Sequence, residues 1–171
     1  HVTLDYNSSV ATTTNKHPVT IDDIDRRLLA RLQLDGREPV ARLAEAVGLS
    51  APPVHERLRR LEAAGVIKGY AVVLDAARLG FRFTAMGSVT LALHREGAMM
   101  KFRDAVLAVP EILDCFHTTG GADFLLRVVC RDTAHYEDLV LHTLTRLPGV
   151  ERLNSSVVLS SFKATTALPL E

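Results

Sequence analysis

The residues best equipped for chemistry cluster between positions 50 and 68. Ser50, Ala51, Pro52, Pro53, His55 and Glu56 come first, and Arg57, Arg59, Arg60 and Lys68 follow. Hydroxyl, imidazole and carboxylate groups can exchange hydrogen bonds with base edges, and closely spaced cations neutralise phosphates. That chemistry needs the residues on one exposed helix face, with other helices supporting its back. The alternative for the arginines is a solvated face paired to Glu56 and Glu62.

The flanking pattern supplies the supports. Thr20, with Asp23 three residues on, resembles a capping box, and Ile24, Leu28, Leu29 and Leu32 then recur at helical spacing. Asp35-Gly36 stops this first helix. A second begins at Pro39, carries Val40, Leu43, Ala44 and Val47, and ends at Gly48. Ser50 is the next N-cap, Pro52 and Pro53 fit the first turn, and Val54, Leu58 and Leu61 form the buried stripe of a third helix that stops at Gly65. Three short helices with a glycine in the second turn read as a helix-turn-helix, whose later helix enters the major groove by its N-terminal part. Ser50 to Glu56 then face bases, and Arg57, Arg59, Arg60 and Lys68 face phosphates. In that setting the phosphate reading outweighs the solvated one. The β-branched run 66–74 predicts a strand or a short wing.

The second half changes period. From Phe81 to Leu93 apolar residues alternate, which predicts a long half-buried strand. Met99, Phe102, Val106 and Val109 are spaced for a helix ending at Pro110. Residues 111–119 and 122–130 read as strands joined by a two-residue turn at Gly120-Gly121. Residues 133–147 read as a helix with Tyr136, Leu139, Val140, Leu144 and Leu147 inward, and 150–163 as a last strand. The order is βαββαβ, a ferredoxin-like unit, so the fold class is α+β with a winged-helix-like N-terminal domain. Such a sheet leaves one face uncovered by helices, which predicts a homodimer through stacked sheets.

Composition bounds these readings. The 171 residues allow one large domain or two small ones. They divide into an arm or cloning remnant at 1–19, the helix-turn-helix at 20–66, a linking strand and connector at 67–83, the βαββαβ domain at 84–163 and a tail at 164–171. With 47% hydrophobic and 23% charged residues the chain is ordinary globular protein, and it has no apolar run long enough to span a bilayer. Twenty basic residues balance twenty acidic ones, which excludes coating of nucleic acid by bulk charge. Between 20 and 70 there are nine basic residues against eight acidic. Because nonspecific affinity scales with phosphates neutralised, one copy is predicted to bind DNA weakly and to need assembly.

Catalytic and metal signals are faint. Cys115 and Cys130 are too few for a disulfide framework or a zinc site, and read as free thiols. If Thr119 pairs with Ala122, Cys115 falls opposite Leu126 and Cys130 opposite Glu111, so the thiols are not neighbours. His135 and His142 share a helix face without a third ligand. His94, His117 and Cys115 lie on strands, but no nucleophile-base spacing is readable.

The segments IDDIDRRLLARLQLDGR, LAEAVGLS, ERLRRLEAAGVIKGY, TTGGADFLLRV and LTRLPGV together resemble the Lrp/AsnC, or feast/famine, family of transcription regulators, over residues 20–163. The resemblance implies a cytoplasmic non-enzyme that binds double-stranded DNA, needs no cofactor, dimerises and assembles to octamers. It also implies that amino acids or related metabolites bind the C-terminal domain at contacts between dimers. The family loop reads Gly-Asp-x-Asp-Tyr; here Gly120-Gly121-Ala122-Asp123-Phe124 stands in its place. By the resemblance, Asp123 takes the effector ammonium, amides around Gly120 take its carboxylate, and Thr118, Thr119 and Gly121 line the loop. The alternative for this loop is a tight turn that needs glycine freedom. Two further readings reuse the architecture: an oligomeric binding or assembly module, and an enzyme similar to some tetrapyrrole decarboxylases, in which the basic third helix would have no purpose.

Overall fold

The computed structural model describes residues 20–92 and 96–170. They form two compact units. One runs through Val73 and includes the residues from Ala164 on; the other is Leu74–Lys163. The expectations for residues 1–19 and for His94 fall outside the described residues.

The first unit is three helices, α1 (Asp23–Leu34), α2 (Val40–Val47) and α3 (Ala51–Ala63). Leu28, Leu43, Ala44, Val47, Val54 and Leu58 make its core, flanked by Ile24, Leu32, Val40, Leu49 and Ile67. Gly48 ends α2 in the left-handed region at φ 73°, where its N–H bonds the Ala44 and Glu45 carbonyls. That conformation turns the chain sharply toward Ser50.

Two expectations here are corrected. The capping box lies two residues later than Thr20 and Asp23: Asp22 accepts from Asp25 N at 2.8 Å, and Asp25 accepts from Asp22 N at 3.2 Å. The strand or wing at 66–74 does not form. Residues 68–74 are exposed and irregular, because no strand among the described residues offers them a ladder.

The second unit is a four-stranded sheet of order β2-β3-β1-β4, every neighbouring pair antiparallel. Its elements are β1 (Phe83–Leu91), α4 (Glu96–Leu107), β2 (Ile112–His117), β3 (Phe124–Cys130), α5 (Thr133–His142) and β4 (Val150–Val157). This is the βαββαβ order. Ala85, Val89, Leu91, Phe124, Leu126 and Val128 pack with Phe102 and Val106 of α4 and Tyr136 and Leu139 of α5. Gly87 sits mid-strand on that face, where a Cβ would lie 3.2 Å from Leu153 Cδ1. The other face of β1 carries Thr84, Met86, Ser88 and Thr90, all half-buried.

Element ends differ from the pattern for local reasons. α5 stops at His142 and a 3-10 turn follows at Leu144–Arg146, where the Thr145 hydroxyl takes the Val140 carbonyl at 2.8 Å. β4 stops at Val157, opposite Ala85, with the Val158 N–H still donating to Thr84 O at 2.9 Å. Cys115 pairs with Leu126 as expected, but a bulge between Ile112 and Asp114 brings Glu111 against Val129 rather than Cys130. Among the described residues no helix is long and apolar enough to cross a membrane.

Candidate nucleic-acid interface and effector loop

α3 separates its residues by face. Val54, Leu58 and Leu61 are buried, while Pro52, His55, Glu56 and Arg59, spaced i, i+3, i+4 and i+7, are all exposed. Ser50, Ala51 and Pro53 are also exposed at its start. Ser50 is the N-cap, yet its hydroxyl makes no capping hydrogen bond. With prolines next to Ala51, the first turn carries few backbone donors, so side chains dominate what this end can offer a ligand. Among the described residues the Arg59 guanidinium has one ion-pair partner, Glu56 at 3.9 Å, with both side chains mostly exposed. Such a pair holds its cation weakly and leaves it available to a phosphate. Lys68 is exposed past the helix end.

Arg57 and Arg60 are placed differently from the phosphate-facing role expected of them. They occupy the flank of α3 that faces the start of α1. Arg57 Nη1 donates to Asp22 Oδ2 at 2.6 Å and to Asp25 Oδ1 at 2.8 Å, and Arg60 Nη2 bonds Asp25 Oδ2. The Asp25 side chain is 0% exposed. A buried carboxylate needs compensating charge, and these two guanidiniums supply it. The hydrogen bond to Asp22 and that to Asp25 raise the Arg57 pKa further. The solvated pairing with Glu56 and Glu62 forms only in part among the described residues: Glu56 pairs with Arg59, while Glu62 accepts from Tyr70 OH at 3.0 Å.

This network has an acid limit. The Asp25 N–H and the Arg57 guanidinium hold the Asp22 carboxyl below its ordinary 3.8. Arg31, hydrogen-bonded to both oxygens of Glu38, holds that carboxyl below its ordinary 4.5. Both folded values are depressed, so the stabilisation is complete above the ordinary values and is lost as pH falls through the lowered ones. The helical unit is therefore expected to melt at lower temperature as pH drops below about 4, and Asp22→Asn to flatten that dependence. Circular dichroism melts from pH 7 to 3 check this; an unchanged helical transition contradicts it.

At the other candidate site the turn is longer than two residues. Thr118 N donates to Asp123 O at 2.9 Å and Thr118 Oγ1 to Ala122 O at 3.0 Å, closing a loop over 119–122. Gly120 has φ 119°, which favours glycine. Asp123 is drawn toward β1: its N–H donates to Val89 O at 2.9 Å, and its Oδ2 accepts from Leu91 N at 2.7 Å. The expected ammonium ligand thus serves the fold, and the Thr118 hydroxyl is also used internally. Thr119, Gly120 and Gly121 stay exposed. Both thiols are raised to about 11 by burial, with the Glu111 and Asp132 charges adding at Cys130. Among the described residues, no three His, Cys, Asp or Glu side chains converge as metal ligands.

The comparisons with known proteins agree with this division. The AsnC-type helix-turn-helix domain matches residues 21–62, and the Lrp/AsnC ligand binding domain matches residues 84–168. The chain is 38% identical to the Bkd operon transcriptional regulator of Pseudomonas aeruginosa over 150 residues, 88% of this chain and 98% of that protein. It is 38% identical over 141 residues to a proline dehydrogenase transcriptional activator of Rhodobacter capsulatus, covering 82% and 92% of the two. Among solved structures, a transcriptional regulator from Neisseria meningitidis in complex with L-Met superposes with a TM-score of 0.84 at 36% identity, over 88% of this chain and 97% of that one.

Proposed function

This chain belongs to the Lrp/AsnC family of DNA-binding transcription regulators, and from that premise we propose how its residues divide the work. The exposed stripe of α3 is the observation that carries the proposal. Ser50, Ala51, Pro52, Pro53, His55 and Glu56 meet base edges, and Arg59 with Lys68 meets phosphates. Arg57 and Arg60 hold α3 on α1 instead.

The sheet domain takes an amino acid. Support comes from the relative solved with L-Met, and the exposed Thr119, Gly120 and Gly121 are the contact surface, with Asp123 forming the loop rather than binding the ligand. The protein works in the cytoplasm as a homodimer that assembles further, needs no cofactor and catalyses no reaction. The sheet face without helices and the exposed Val72, Val73 and Leu74 favour assembly. Binding of the amino acid shifts that assembly and so the spacing of paired recognition helices.

Selection of bound genomic DNA fragments by the purified protein tests this. Enriched fragments with paired half-sites about one helical turn apart, or multiples of it, are expected; no enrichment overturns the reading. On a selected fragment, Arg59→Ala should lower the slope of log affinity against log salt by about 1, with the melting temperature unchanged. His55→Ala should alter base preference.

A further inference from the structure

The residues that follow the sheet domain leave it. β4 ends at Val157, yet the residues from Ala164 belong with the helix-turn-helix unit. There the side chain of Gln33, near the end of α1, grips the backbone of Leu168 on both of its polar groups. Gln33 Nε2 donates to Leu168 O at 3.0 Å, and Leu168 N donates to Gln33 Oε1 at 2.5 Å. A carboxamide carries a donor and an acceptor side by side, so it satisfies both backbone polar groups of one residue. The partners are 135 residues apart in sequence, so local chain geometry does not impose the contact. The segment buries little else. Residues 159–169 are exposed and Leu170 is half-buried. A segment with few apolar contacts opens at low free-energy cost.

We propose that residues 164–170 are a releasable strap, and that the surface of α1 around Gln33 is the docking site for this chain's own C-terminal segment. The polypeptide passes between the two units twice, after Val73 and again after Lys163. The first crossing lies within residues 68–82, which form neither helix nor strand. A docked strap closes a second tether. Leu168 lies only eleven positions beyond Val157, a reach of at most about 40 Å. The strap narrows the volume that the helix-turn-helix unit explores. In a pair of copies this raises the effective concentration of the second recognition helix once the first has bound its half-site. The strap therefore strengthens paired-site binding without touching DNA. This consequence rests on the regulator reading above; docking itself does not.

Trypsin cleaves after Lys163, at the root of the strap, and so reports docking directly. In the full-length protein, Gln33→Ala should speed release of the 164–171 peptide about threefold or more while leaving the melting temperature unchanged, since Gln33 is exposed and alanine is a good helix former. Gln33→Ala and truncation after Lys163 should each weaken binding to a fragment with paired half-sites about threefold or more, and leave binding to a single half-site as in the parent. Equal peptide release from parent and variant overturns docking. Faster release with unaltered paired-site affinity overturns the tether. A parent that binds no DNA overturns the regulator reading, and the trypsin comparison then still decides whether the strap docks.

Discussion

Replacing Arg57 and Arg60 together by methionine is expected to unfold the helix-turn-helix unit rather than merely weaken its hold on phosphate. Asp25 has no exposed side-chain surface, and its oxygens are met by Arg57, Arg60 and the Asp22 N–H. Without the guanidiniums a fully buried carboxylate is left with one backbone donor. Breaking a buried pair from one side costs about 3–5 kcal/mol. The lower end applies here, because Arg57 and Arg60 are themselves 26% and 45% exposed and screened by water. A loss of about 3 kcal/mol is severe for a unit this small, whose buried fraction is low. Urea unfolding followed by far-ultraviolet circular dichroism should show the helical transition moved to much lower urea, with the sheet unit's transition retained. Adding Asp25→Leu to the double variant should restore most of the loss, since replacing a whole buried ion group by apolar residues is close to neutral. An unchanged melt, combined with a smaller salt slope for DNA binding, would return both arginines to the phosphate.

Much of this architecture is readable in the sequence because its causes are local. The stripe of Val54, Leu58 and Leu61 and the alternation along β1 are periodic signals, and both elements form where they occur. The residues whose surroundings differ from the periodic pattern are those whose partners lie far along the chain. Asp25 sits three residues before Leu28 and seven before Leu32, on the apolar stripe of α1. A charge at that position was the available sign that it is buried and paired. Its partners, 32 and 35 residues on, are two of the arginines that the third helix alone had suggested for DNA. The β-branched run 66–74 carries strand propensity, but a strand requires a ladder, and propensity does not supply one. Gln33 gave no periodic signal at all; its role depends on a contact with Leu168 that only the folded chain reveals. The recognition stripe was legible as a face, and the effector loop only through resemblance, because the bond from Leu91 to Asp123 also spans 32 residues.

That bond separates two roles for Asp123 by experiment. Asp123→Ala removes the acceptor for the N–H of Leu91, a residue 1% exposed at the end of β1. β3 begins only at Phe124, whose ladder partner is Val89, so no strand carbonyl replaces it. Losing a hydrogen bond to a charged acceptor costs about 1.5–3 kcal/mol, and the loop over 119–122 loses an anchor with it. The sheet unit's urea midpoint should fall accordingly. Asp123→Asn keeps a carbonyl oxygen at the same place and should stay within about 1 kcal/mol of the parent, the scale of a neutral hydrogen bond. A screen of amino acids by thermal shift, with L-methionine among them, then reads function against this baseline. If the carboxylate shapes the loop, the Asn variant keeps both stability and the ligand-induced rise, while the Ala variant loses stability and weakens the rise. If the Asn variant keeps its stability but loses the rise, the negative charge itself meets the ligand ammonium, and Asp123 joins Thr119, Gly120 and Gly121 as a ligand contact.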